Sequence, residues 1–151
     1  VIIPARAGST TPGRAPTAPL QDHPRTFTPL PAPARLADTR VGGTTVDRQF
    51  RATGQVRPGV PLQLTVGGRA GVPVNASTVS LNVTVTNPGG WGFLTVYPCG
   101  QAPPLASNLN YGPGQTIPNA VIASLGTAGK VCFKTLVPTD LVVDVAGCFP
   151  G

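Results

Sequence analysis

Hydrolytic chemistry needs a nucleophile, a base and an orienting group within reach of one another, and this chain supplies few of them. The only histidine is His23, there is no glutamate, and the carboxylates are Asp22, Asp38, Asp47, Asp140 and Asp144. Five serines could serve as nucleophiles, but the one imidazole sits in a proline-rich stretch that offers no scaffold for a triad. On an extended strand Asp140 and Asp144 share a face, yet two pleats hold them roughly 13 Å apart, too far for either glycosidase geometry. Structural bonds suit these acids better, with Asp38 and Asp144 holding Arg40 or backbone amides. Gly67-Gly68 and Gly89-Gly90 read as turns, not as phosphate loops. No catalytic, metal-binding or cofactor-binding residue is therefore assigned, and the chain is expected not to be an enzyme.

Cysteine and aromatic chemistry offer more. Cys99, Cys132 and Cys148 lack the spacing of a zinc site. A Cys99–Cys132 disulfide would close a loop of roughly 30 residues and contribute about 3–4 kcal/mol by the loop-entropy account; the competing reading is three reduced, buried thiols. The disulfide is the favoured reading, and with it an oxidising compartment. Strict alternation over residues 141–149 puts 141, 143, 145 and 149 on one face and Cys148 on the other, less buried face with Asp140 and Asp144. Cys148 is then the odd thiol, either sheltered by a neighbour or paired between chains. Trp91, between Gly90 and Gly92, is a candidate platform for stacking a sugar ring, weighed against packing over the end of the fold; Tyr97 is weighed with it. Asn75-Ala76-Ser77 and Asn82-Val83-Thr84 are glycosylation sequons, and Asn82 is expected to point outward.

Charge narrows the partners. Net charge is +6, but the nine arginines are scattered at 6, 14, 25, 35, 40, 48, 51, 57 and 69. No cluster is of the kind that neutralises successive phosphates, so nucleic acid is not expected. No apolar run reaches the ~20 residues of a membrane span. Val1-Ile2-Ile3-Pro4 lacks the basic and apolar regions of a signal peptide, so an exported chain is expected to have already lost its signal.

The elements that must position these groups divide the chain in two. Residues 1–35 hold eight of the 19 prolines, which exclude a helix or a central strand and predict an extended arm. Residues 36–151 then form one domain of ordinary size. With only eight aromatic residues and no methionine, its core is expected to be built from Val, Leu, Ile and Ala. Residues 45–51 read as a first strand and 60–66 as a second. Residues 78–86 (Thr-Val-Ser-Leu-Asn-Val-Thr-Val-Thr) alternate without a fault, as half-buried antiparallel strands do. Residues 92–97 should return as its hairpin partner across a turn at 87–91. Further strands are expected at 107–111, 115–125, 131–136 and 141–149, with Pro118 marking an edge or a bulge. The reading is all-β: one antiparallel β-sandwich or jelly-roll-like domain of about eight strands behind a proline-rich arm.

Several of these stretches occur together in a known setting. Pro33-Ala34-Arg35-Leu36-Ala37-Asp38-Thr39-Arg40, Gly71-Val72-Pro73, residues 79–88, Phe93-Leu94-Thr95-Val96-Tyr97-Pro98-Cys99-Gly100, Ala106-Ser107-Asn108-Leu109-Asn110, Val131-Cys132 and residues 140–147 resemble, in that order, a repeat module of secreted actinobacterial and related bacterial proteins. The resemblance covers about residues 30–149 and implies export to an extracellular or cell-surface setting. Where that module ends in Gly-Tyr-Phe, this chain has Gly147-Cys148-Phe149, and residues 1–28 lie outside the match.

Two functions are expected from different classes. In the first, the chain is a structural subunit whose arm docks on the next copy, with Ile2, Ile3, Leu20, Phe27 and Leu30 as anchors, building a homopolymer through residues 1–35. In the second, it is a secreted module that binds carbohydrate or a cell-surface glycan, and the arm is a linker.

Overall fold

The computed structural model describes residues 26–151. Eight strands form two four-stranded antiparallel sheets. They are β1 (Thr28–Asp38), β2 (Leu62–Thr65), β3 (Thr78–Thr86), β4 (Gly92–Pro98), β5 (Leu109–Tyr111), β6 (Ile117–Ser124), β7 (Lys130–Thr135) and β8 (Asp140–Phe149). One sheet has the order β1-β8-β3-β6 and the other β2-β7-β4-β5. All-β architecture in two antiparallel sheets is thus the fold that alternation predicted. None of the described helical segments is long and apolar enough to cross a membrane.

The core lies between the sheets. Val79, Leu81, Val83 and Val85 of β3 and Leu141, Val143 and Val145 of β8 face Leu64, Leu94, Val131 and Phe133 of the other sheet, all at most 1% exposed. Each such aliphatic residue contributes about 1.5–3 kcal/mol on full burial, and Phe133 is the only phenylalanine that deep. β3 alternates in burial along its length up to Val85, with Asn82 exposed at its centre. β6 is indeed an edge strand, as Pro118 required.

Four expectations need correction. First, the sandwich starts at Thr28, not at residue 36. Thr28 pairs with Cys148 and Asp38 with Val142, so the last part of the supposed arm is an edge strand of the chain's own sheet. The prolines do not prevent this, because an edge strand needs donors on only one side. Phe27 stacks on Phe149 at 5.3 Å, and Leu30 packs on the core cluster; both anchors are used within the chain. Ile2, Ile3 and Leu20, with His23 and Asp22, lie outside the described residues.

Second, residues 45–51 form turns. Arg48, Phe50 and Ala52 have φ of 65°, 52° and 50°, a left-handed alternation that no strand sustains. Third, β3 and β4 do not pair. Both sides of β3 are taken by β6 and β8, so the turn after Thr86 carries the chain across to the other sheet. Fourth, Cys148 faces the core. Val145 lies opposite Leu81 but Gly147 opposite Ser80, so Ala146 is an extra residue in β8. Such a bulge reverses the side-chain parity beyond it. Cys148 is 3% exposed and belongs to the core, and Phe149 turns outward to meet Phe27.

Candidate functional site

The Trp91 ring lies at the end of the sandwich where β4 begins. Gly92 pairs with Tyr111 and Phe93 with Asn110. Both glycines lie in close approach to an aromatic ring. A Cβ on Gly92 would lie 2.8 Å from the Tyr111 hydroxyl, and one on Gly112 would lie 2.8 Å from the six-membered ring of Trp91. The indole is therefore laid against the backbone at Gly112 on one side, yet remains 78% exposed. The ring thus packs over Gly112 with most of its surface open to solvent. Beside it runs a groove of about 380 Å³, lined by Trp91, Gly92, Phe93, Asn110, Tyr111 and Gln115.

The polar groups of this groove are neutral and oriented. Gln115 Oε1 accepts from the Gly112 amide at 2.6 Å, which leaves the amide nitrogen to donate. Asn110 Oδ1 accepts from Ser107 Oγ at 2.7 Å, with the same consequence. The Tyr111 hydroxyl donates to Phe93 O at 3.4 Å, a long bond. A flat exposed indole beside two primary amides suits a polyhydroxylated ring that offers a C–H face to the aromatic surface and hydroxyl oxygens to the amides. Tyr97, the other aromatic residue considered, is 6% exposed and packs with Cys99 and Cys132, so it offers no platform. Asn75 and Asn82 are both exposed.

Cys99 and Cys132 form a disulfide with Cα atoms 5.0 Å apart. Its position follows from register: Tyr97 is opposite Cys132 and Pro98 opposite Val131, so Cys99 leaves the end of β4 beside the start of β7. Cys148 is the free, buried cysteine.

The described acids of the sheet containing β1 and β8 make intramolecular bonds. Arg40 clamps Asp38 through Nε at 2.8 Å and Nη2 at 2.7 Å, and its guanidinium holds that carboxyl below its ordinary range. Asp144 is bound by Arg35 at 2.8 Å, not by Arg40. Asp140 accepts from Thr39 Oγ1 at 2.8 Å and Asn87 Nδ2 at 3.2 Å.

The strongest polar arrangement escaped the sequence reading. Arg69, 6% exposed, binds both oxygens of Asp47 at 2.7 Å and donates to Thr65 O at 2.8 Å and Leu36 O at 3.0 Å. Its guanidinium carbon lies 5.1 Å from the centre of the Phe50 ring. The hydrogen bonds from Arg69 draw the Asp47 pKa down to about 2. Arg69 thereby ties the irregular segment 39–57 to β1 and β2. Its only mark in the sequence is an arginine directly after the Gly67-Gly68 turn.

Neither a scan against protein-family models nor a search of curated proteins found a match to this chain.

Proposed function

We propose that the chain is a non-enzymatic, secreted β-sandwich module that binds neutral carbohydrate through the Trp91 face. One observation carries this reading: a tryptophan 78% exposed, laid on Gly112 beside a groove whose polar lining is uncharged. An exposed indole has an unfavourable contact with water that a sugar face relieves. The Cys99–Cys132 disulfide is in keeping with an oxidising, extracellular setting, as is the resemblance to modules of secreted bacterial proteins. The test is retention on insoluble polysaccharides and a glycan array, comparing the wild-type chain with Trp91→Ala. Retention should fall by roughly tenfold or more, the loss of one stacked ring and its buried area. Equal retention of the two proteins on every glycan bound would overturn the reading.

A second reading, assembly by an exchanged N-terminal arm, has its own observation. The pairing of β1 with β8 is interrupted between Pro29 and Ala34, so this edge strand is held less continuously than β3 or β8 and is suited to exchange with a neighbour. Cysteines introduced at Ala34 and Val145, opposite one another in β1 and β8, then lock β1 in its own chain when oxidised and abolish a polymer that the full chain forms on size-exclusion chromatography. If the full chain forms no such polymer, this reading fails.

A further inference from the structure

Four strands end the two sheets, and three of those edges are protected. The outer side of β1 carries three prolines and is covered by the following loop, whose Val46 amide donates to Arg35 O while the Asp38 amide donates to Phe50 O. β2 has four residues and β5 three, too short to template another chain. β6 differs. It runs eight residues, Ile117–Ser124, has no charged side chain, and carries Ile122 at 70% exposure.

Alternation shows which of its backbone groups are free. The Leu125 amide donates to Ser77 O, so the odd-numbered residues of β6 turn their N–H and C=O groups toward β3. The even-numbered residues, Pro118, Ala120, Ile122 and Ser124, turn theirs away from the sheet. Pro118, which has no N–H, is thus on the open side, where it costs no ladder bond. Among the described residues no backbone partner meets Ala120, Ile122 or Ser124 on that side.

We infer that β6 is the edge through which two copies of the chain pair, antiparallel, about a two-fold axis at Ile122. The second copy is selected by complementarity. With Ile122 opposite Ile122 of the other copy, Ala120 falls opposite Ser124, and each of these residues exchanges both its N–H and its C=O with its opposite number. All three free donors on each strand are satisfied, and Pro118 lies just outside the ladder. A register centred on Val121 instead sets Pro118 against Ser124 and forfeits a bond. Charge favours the same partner. β6 is uncharged, and the charges on that outer face lie at least two strands away, Asp144 paired with Arg35 and Asp140 buried and near Arg40, so two copies meet there without like-charge repulsion. Cross-strand apposition also buries the exposed Ile122 side chains on each other. The result is a continuous eight-stranded sheet that presents two Trp91 platforms, although the pairing itself does not depend on what Trp91 binds.

The test is sedimentation equilibrium of the full chain over a wide concentration range, with Ile122→Lys, Ala120→Pro and, as a charge control on a loop residue exposed elsewhere, Val41→Lys. The wild type and Val41→Lys should show a monomer–dimer equilibrium. Ile122→Lys should weaken it about tenfold or more, from the lost apolar pair and the opposed charges. Ala120→Pro removes one outward donor from each copy and should weaken it as well. Amide exchange at Ala120, Ile122 and Ser124 should slow as concentration rises. A wild type that stays monomeric overturns the proposal. So does a dimer that Ile122→Lys leaves intact or whose Ile122 and Ser124 amides exchange freely; that outcome places the contact elsewhere, the N-terminal arm included.

Discussion

Replacing Arg69 with methionine is expected to be among the costliest single changes outside the apolar core, for reasons that can be summed from its contacts. Methionine fills most of the space, so the cost is not that of a cavity. What is lost is the donor to Leu36 O and the donor to Thr65 O, each worth about 1–2 kcal/mol where water cannot replace it. The stacking on Phe50 adds about 1 kcal/mol. The Asp47 pair adds less, because the Asp47 side chain is 29% exposed and water takes up the abandoned carboxylate. The total is roughly 3–5 kcal/mol, or about 10–20 °C in Tm for a domain of this size. Urea and thermal unfolding followed by circular dichroism measure it, and amide exchange across residues 43–54 should accelerate first. Asp47→Asn provides the control and should cost only about 1 kcal/mol. If Arg69→Met costs under about 1 kcal/mol, or if Asp47→Asn costs as much as Arg69→Met, the backbone carbonyls are not what Arg69 secures and the reasoning fails.

Replacing Cys99 and Cys132 together by serine opens a loop whose ends are 33 residues apart and should cost about 3–4 kcal/mol, read as a drop in unfolding midpoint that reductant reproduces in the wild type and not in the variant. Cys148 is buried, so a thiol reagent should find no reactive group in the native protein and one after denaturation without reductant; a thiol that titrates at once in the native state contradicts the parity change at Ala146. Acid should destabilise the fold through Asp47. Its folded pKa of about 2 lies below the ordinary value of 3.8, so its contribution is complete above about pH 4 to 5 and disappears as pH falls through 2. That loss, about 2 kcal/mol at most, should be absent from Arg69→Met when unfolding midpoints are compared between pH 5 and pH 2. Asp38, whose pKa Arg40 also depresses, loses its contribution in the same direction in both proteins.

What was legible in the sequence was whatever repeats with period two. β3 declared itself because Val79, Leu81, Val83 and Val85 are separated by polar residues without interruption, and Pro118 placed β6 at an edge because a missing N–H is tolerated only there. Period two also misled, because it assumes an unbroken strand. One extra residue, Ala146, reversed the faces of Cys148 and Phe149, and nothing in Val-Ala-Gly-Cys announces a bulge beyond the glycine itself. Residues 45–51 alternate well enough on paper, but Arg48 and Phe50 adopt left-handed backbone angles because Arg69, distant in sequence, holds Asp47 and stacks on Phe50. Pairing was the least legible level. β3 and β4 are neighbours in sequence with a short turn between them, yet β3 finds its partners in β6 and β8 across long separations, where buried area and not proximity decides. Trp91 was visible as a residue, but its exposure depended on Gly112, which closes the ring's other face only once β5 lies beside β4.

The register also places the disulfide and Trp91 at opposite ends of the sandwich. Thr28 lies opposite Cys148 and Thr78 opposite Phe149, so the described chain enters the sandwich at the end where β8 leaves it. The disulfide is at this same end, since Thr127, just after β6, donates its amide to Cys99 O. Trp91 is at the other end, beyond Thr86 and Asp140, where the Gly89 amide donates to Pro138 O. Nine residues of β3 span about 30 Å between them. A load applied between Trp91 and residues 26–28 would therefore run along the strands. That direction loads the β1–β8 ladder in shear, which strains its bonds together, where a sideways pull would open them one at a time. The ladder is weakest between Pro29 and Ala34, and beyond the gap Arg35 of β1 bonds Asp144 of β8. Phe27 on Phe149 closes the near side. The Arg35–Asp144 pair thus braces β1 against β8 on the far side of the gap.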